Sequence, residues 1–172
     1  MTTSEFYNYA IRLSYRGEAY QGWQVQAHTD LTVQGQINLA LAKIAKTEEV
    51  ESLGASRTDS GVHALDQICR VSLPLDLPEY NLQMALNSHL PQDIRVHRVS
   101  KVGADFHPLR DCQGKKYWYL FSFEKTPNAV LSDRVVYFPY ELNLEAMRAG
   151  AKTMISLRLA WVKSNCVSAR RR

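Results

Sequence analysis

The stretch Arg57-Thr58-Asp59-Ser60-Gly61-Val62-His63-Ala64 holds an acid, a base and a glycine turn between two apolar runs. An ionised, positioned carboxylate can act as a nucleophile or a base. Arg57 precedes Asp59 by two residues, and a guanidinium close to a carboxylate favours its charged form. The same residues also describe an ordinary turn. There the Asp side chain bonds backbone two residues on, and Gly takes a positive φ. Taken alone, the local pattern favours the ordinary turn, so the case for chemistry rests on the rest of the chain.

Stepping outward, Val50 to Ala55 and Gln67 to Leu73 read as short strands, which sets the Asp59 loop at the lip of a sheet. Loops so placed commonly carry function, because a rigid scaffold fixes their ends. Tyr9, Ile11, Leu13 and Tyr15 alternate with Ala10, Arg12 and Ser14, the pattern of a half-buried strand. The following segment, Arg16 to Gln24, carries Gly17, Tyr20, Gly22 and Trp23. It reads equally as a packed surface loop and as the wall of a cleft. Val33, Ile37, Ala40, Leu41 and Ile44 mark one face of a helix with Thr32 as N-cap. Leu82, Ala85, Leu86 and His89 mark a second helix stopped by Pro91, and Ile94 to Val99 reads as a fourth strand with weaker alternation.

The order strand, helix, strand, strand, helix, strand predicts an α+β fold: the ferredoxin-like split βαβ, an antiparallel sheet with helices on one face. The other face stays free for a ligand or a second domain.

Beyond Phe106-His107-Pro108, Tyr117, Tyr119, Phe121 and Phe123 alternate with Lys116, Trp118, Leu120 and Ser122, the strongest strand signal in the chain. Such rings are core residues or a stacking platform; Lys115 and Lys116 favour the platform at the start of the run. Val135 to Phe138 reads as another strand. A last helix is expected after Asn143 as N-cap, with Leu142 and Met147 as a hydrophobic staple and Leu144, Met147, Ala151 and Met154 as its apolar face.

With 172 residues, the chain is long enough for one good-sized domain. No apolar run approaches the ~20 residues of a membrane span, and no secretory signal is visible near Met1. Cys69, Cys112 and Cys166 are widely spaced and odd in number, which suits a reducing cytoplasm better than a disulfide framework. No CxxC or HxxxH pair suggests a metal site. The net charge of +4 owes three charges to Arg170, Arg171 and Arg172, so global basicity says little about nucleic acid.

Six stretches together resemble one family, the TruA-type tRNA pseudouridine synthases. They are Leu13 to Gly17 with Gly22-Trp23-Gln24, Thr32 to Gly35, Arg57 to Ala64, Ala85 to Val96, Asp105-Phe106-His107 and Lys116 to Tyr119. Several motifs in the right order are far more specific than any single match. The resemblance runs from about Tyr9 to Met154. It implies that Asp59 is the catalytic nucleophile. Arg57 would push the target uridine out of its stem and then pair with Asp59. Tyr117 would stack on the flipped uracil and take the proton released from its C5. It further implies isomerisation of uridine at positions 38 to 40 of the tRNA anticodon stem-loop, where a single base is splayed out for recognition. No cofactor is implied, and the family works as a homodimer on tRNA. The alternative is a non-catalytic RNA-binding fragment.

Pro108-Leu109-Arg110-Asp111 departs from the family pattern in a loop, and Ile155 to Trp161 does not resemble the family's continuation. The expected organisation is therefore a ferredoxin-like domain carrying the Asp59 loop (1–104), an aromatic strand and helix leading towards a missing second half (105–154), and a non-matching tail (155–172).

Overall fold

Strict alternation of large apolar and polar side chains builds the central strand, β1 (Tyr7–Tyr15), whose Tyr9, Ile11, Leu13 and Tyr15 are buried. The computed structural model describes residues 6–29, 31–138 and 140–156. It divides into two compact units, Met1–Cys112 and Gln113–Arg172.

In the first unit, β1 is followed by α1 (Val33–Ala45), β2 (Glu51–Gly54), β3 (Ala64–Leu73), α2 (Glu79–His89) and β4 (Ile94–Val102). The sheet runs β2-β3-β1-β4 with every neighbouring pair antiparallel. This is the expected ferredoxin-like α+β arrangement. Val33, Ile37, Ala40 and Leu41 of α1, with Leu82 and Leu86 of α2, bury against Cys69, Val71 and Leu73 of β3 and Ile94, Val96 and Val99 of β4. Each fully buried aliphatic side chain contributes roughly 1.5–3 kcal/mol, so this layer dominates the unit's stability.

The helices also close the sheet's edges. Glu79, Gln83 and Asn87 recur every four residues along α2 and reach the outer edge of β4. Glu79 Oε1 accepts from Lys101 N at 2.7 Å, Gln83 Nε2 donates to His97 O at 3.0 Å, and Asn87 pairs with both Val96 N and O at 2.9 and 2.8 Å. On the opposite edge, Gln34 Nε2 of α1 donates to Ser52 O at 2.9 Å, and Ser52 Oγ donates to Asn38 Oδ1 at 2.5 Å. Thr32 caps α1 as expected, its side chain accepting from Gly35 N at 3.0 Å. The sheet face away from the helices is polar. It carries the Arg12–Asp66 ion pair at 2.5 Å, the Ser14–His97 hydrogen bond at 2.7 Å, and Arg70, which donates to Phe106 O at 3.1 Å.

Two expectations shift in detail. The fourth strand's weak alternation has a cause: a bulge between Arg12 and Leu13 breaks the register against β4, so Val96 and Val99 both face the core although they are three residues apart. His89 is exposed, and Leu90 takes the buried position the helix pattern had given it.

The second unit holds β5 (Phe121–Ser122), β6 (Val136–Tyr137), paired in parallel, and α3 (Leu144–Ser156). Here the strand expected from Tyr117 to Phe123 shrinks to Phe121–Ser122. Alternation alone does not make a strand; a partner must take its ladder hydrogen bonds, and among the described residues only the short run Val136 to Phe138 does so. Asn143 caps α3 as expected, Oδ1 accepting from Ala146 N at 2.9 Å, but Leu144 and Met147 are exposed. Of the expected tail, residues 157–172 lie outside the described residues, as does Cys166; Cys69 and Cys112 form no disulfide.

A polar knot ties β1 to the segment before α2. The Tyr9 hydroxyl accepts from Leu77 N at 2.8 Å and faces Asp76 Oδ1 at 3.3 Å, while Lys101 Nζ pairs with Asp76 at 2.6 Å and lies 4.9 Å from the Tyr7 ring centroid. The Lys101 hydrogen bond holds the Asp76 carboxyl below its ordinary range, and burial raises the Tyr9 hydroxyl. A lowered carboxyl pKa gives stability that is fully present above the unfolded value of about 3.9 and is lost as pH falls through the folded one. The thermal midpoint of Asp76→Asn, followed by circular dichroism, is therefore expected to lie below wild type at neutral pH. The difference should shrink as pH falls from about 5 towards about 2.

Candidate active site

The loop joining β2 to β3 runs from Ala55 to His63, between stems closed by Ala55 N donating to Ile68 O at 2.8 Å and Gln67 Nε2 donating to Ser56 O at 2.7 Å. Gly61 turns the chain at φ +79. The turn's own hydrogen bond is a backbone one, from Val62 N to Asp59 O at 3.3 Å. The ordinary-turn reading would have assigned such a tie to the Asp59 side chain. Among the described residues, the Asp59 carboxylate has no hydrogen-bond donor and no ion pair. It is exposed at the loop apex.

Almost every neighbour of Asp59 is fastened to the segment between β1 and α1. Thr58 O accepts from Trp23 N at 3.0 Å, and Thr58 Oγ1 shares a hydrogen bond with the Tyr15 hydroxyl at 2.9 Å. Tyr20 O accepts from Ser60 Oγ at 3.2 Å and from Gly61 N at 3.3 Å. Gly17 N donates to His63 Nδ1 at 3.3 Å. The segment can lie this close because it has glycine where it touches. A Cβ on Gly22 would sit 2.7 Å from Thr58 O, and one on Gly17 would overlap the Val62 carbonyl.

That segment is itself held from below. Trp23 and Tyr20 are buried, with the Trp23 indole packed so tightly over Gly54 that a Cβ there would lie 2.5 Å from Cε2. The Tyr15 and Trp23 rings lie 5.9 Å apart, tilted at 39°. The Tyr20 hydroxyl donates to Asp93 Oδ1 at 2.5 Å. Burial, then the adjacent Asp93 carboxylate, raises the Tyr20 hydroxyl far above its ordinary range; burial also raises that of Tyr15. Both therefore stay neutral hydrogen-bonding groups.

The structure puts Arg57 on the same loop as Asp59, exposed, but no ion pair joins them. Tyr117 belongs to the second unit, outside any regular strand and half-exposed. Tyr15, Gly17, Tyr20, Gly22, Trp23 and Asp93 were not singled out by sequence as supports of Asp59. The available signal was the mixture of glycines and large aromatics between Arg16 and Gln24. Among the described residues, no group of three His, Cys, Asp or Glu side chains could hold a metal ion, and no helix is long and apolar enough to cross a membrane.

A family model described as tRNA pseudouridine synthase matches residues 11–109, which include the sheet from Ile11 onward and the Asp59 loop. The chain is 40% identical over 140 residues to tRNA pseudouridine synthase A of Pseudothermotoga lettingae, covering 81% of this chain and 56% of that protein. It is likewise 40% identical over 141 residues to tRNA pseudouridine synthase A of Aquifex aeolicus, covering 82% of this chain and 58% of the relative. With tRNA pseudouridine synthase A 2 of Bacillus cereus it shares 32% identity over 149 residues, 87% of this chain and 60% of the relative. The chain belongs to the tRNA pseudouridine synthase family. It spans somewhat over half the length of these relatives.

The glycine at position 22 combines a left-handed φ of +94 with a 2.7 Å approach to Thr58 O. Gly22→Ala is expected to cost about 1–3 kcal/mol of unfolding free energy, measured by urea titration, because strain and overlap act together.

Proposed function

We propose that this chain carries the nucleophile-bearing part of a tRNA uridine isomerase that converts uridine to pseudouridine at positions 38 to 40 of the anticodon stem-loop. The observation that supports this most is the uncommitted Asp59 carboxylate flanked by Thr58, Ser60 and Gly61, which are tied down. A nucleophile needs a free lone pair and a fixed origin, and that arrangement offers both.

The residue roles proposed here are those the family resemblance implies. The reaction breaks the bond between uracil N1 and the ribose C1′ and forms one between C5 and C1′. C5 gives up its proton, and N1 ends protonated. Electrons balance within one nucleotide, so no redox partner or group donor is required. Asp59 acts as nucleophile. Arg57 helps displace the uridine from its stem and pairs with Asp59 once the base is out. Tyr117 stacks on the uracil and accepts the C5 proton. Flipping a base costs a few kcal/mol, and stacking it on an aromatic ring returns about 1–3 kcal/mol. Contacts to phosphates then supply the net affinity. The same reading carries with it a cytoplasmic location and action as a homodimer on tRNA.

A second reading is a fragment that binds RNA without turnover. It is favoured by the span of this chain, 56% to 60% of the relatives' length. Tritium release from C5-labelled uridine in tRNA separates the two. Turnover by the chain, with a loss of at least about a thousandfold in Asp59→Ala, is expected for a nucleophile. Equal release from both proteins removes Asp59 from that role. Binding without release, weakening as salt rises, supports the fragment.

A further inference from the structure

The His63 ring lies where the Asp59 loop rejoins β3, with its side chain 35% exposed. Gly17 N donates to its Nδ1 at 3.3 Å. A backbone N–H can only donate, so Nδ1 must be bare and the ring proton of the neutral imidazole must sit on Nε2. Nε2 faces Glu18 Oε1 at 3.8 Å, and the other Glu18 oxygen takes Arg16 Nη2 at 2.5 Å. The carboxylate therefore stands between an arginine that holds it and the ring's Nε2, which lies 3.8 Å away.

This contact closes a circuit. Gly17 N serves His63, Gly17 O accepts from Tyr20 N at 2.9 Å, and Tyr20 O holds Gly61 N and Ser60 Oγ. The residues after Asp59 are thus reached from a single turn, at three successive points. Thr58, the residue before Asp59, is secured by Trp23 N and the Tyr15 hydroxyl. Without the His63 contact, the limb from Val62 to His63 keeps, among the described residues, the steric seat of Gly17 and the Val62–Asp59 backbone bond.

We propose that His63 is a positioning residue for Asp59: its Nδ1 lone pair, accepting from Gly17 N, clamps the returning limb of the loop to the turn that follows β1. This deepens the reading of Asp59 as nucleophile and rests on it for its kinetic consequence; the clamp itself is a property of the folded chain.

The experiment uses the full chain and the substitutions His63→Ala, His63→Asn and His63→Gln. The Asn side chain puts an acceptor oxygen on Cγ, as the ring puts Nδ1; Gln moves its acceptor one carbon further out. Hydrogen exchange at the Gly17 amide reads the clamp directly. Loss of one neutral hydrogen bond is expected to speed that exchange by up to about tenfold in Ala and Gln, with Asn within about threefold of wild type. Tritium release is expected to follow the same order through kcat, with KM within about twofold. Nitrogen-15 shifts of the wild-type ring should report the Nε2–H tautomer. Equal Gly17 protection in all four proteins, the Nδ1–H tautomer, or wild-type kcat in His63→Ala overturns the proposal. Absence of turnover in the wild type, with the exchange order as stated, upholds the clamp and removes the proposed activity instead. The partly exposed side chain leaves the core unaltered, and His63→Asn keeps the test decisive should His63→Ala unfold.

Discussion

Two backbones lie against each other with no room for a side chain between them, and the site depends on that approach. Gly17 and Gly22 bring the β1–α1 segment onto the Asp59 loop, and Gly54 lets the Trp23 indole lie beneath both. This is a constraint of shape. The nearby ion pairs, Arg12–Asp66 and Arg16–Glu18, have side chains from 39% to 53% exposed, and pairs of that kind contribute little in water. Hard contact does not fade with ionic strength, so the loop's placement is insulated from the salt sensitivity expected of RNA binding. Scaffold and ligand affinity are thereby governed by different forces.

The same packing explains how a charged group is left idle. The groups around Asp59, backbone and side chain, find partners in the neighbouring segment: Thr58 in Trp23 N and the Tyr15 hydroxyl, Ser60 and Gly61 in the Tyr20 carbonyl, and His63 in Gly17 N. The turn's bond is supplied by the Asp59 carbonyl, so the carboxylate is spared. In an ordinary turn the side chain does that work. Here the Asp59 carbonyl does it, with Gly61 making the bend and the Tyr20 carbonyl holding the loop, and the chemistry proposed for Asp59 rests on that substitution of partners.

The sheet and both its helices were legible because period-two and helical patterns are imposed by burial, and burial is what Ile11, Leu13, Ile37, Leu41, Leu82 and Leu86 record. The loop bearing Asp59 was legible as a candidate from residue types. Its support was not. Tyr20 and Trp23 read equally as surface or wall because a loop has no period to betray which side is buried. The structure makes them the floor under the loop, by contacts to Asp93 and Gly54 that are distant in sequence. The aromatic run failed in the opposite way. Tyr117 to Phe123 has the pattern of a strand, but pattern reports only what a segment would do given a neighbour, and just Phe121–Ser122 has one here. Likewise Leu144 and Met147 mark a helix face that the described residues leave exposed.

The row formed by Glu79, Gln83 and Asn87 has a consequence for the molecule's behaviour in crowded solution. Lateral strands with unspent amides and carbonyls invite other chains to add on, the first step towards fibrils. Here one rim is answered by carboxylate and amide side chains from α2, and Ser52 on the other by α1. The four-stranded layer is therefore self-limiting at these points. Growth by strand addition would first have to peel a helix from its own hydrophobic bed.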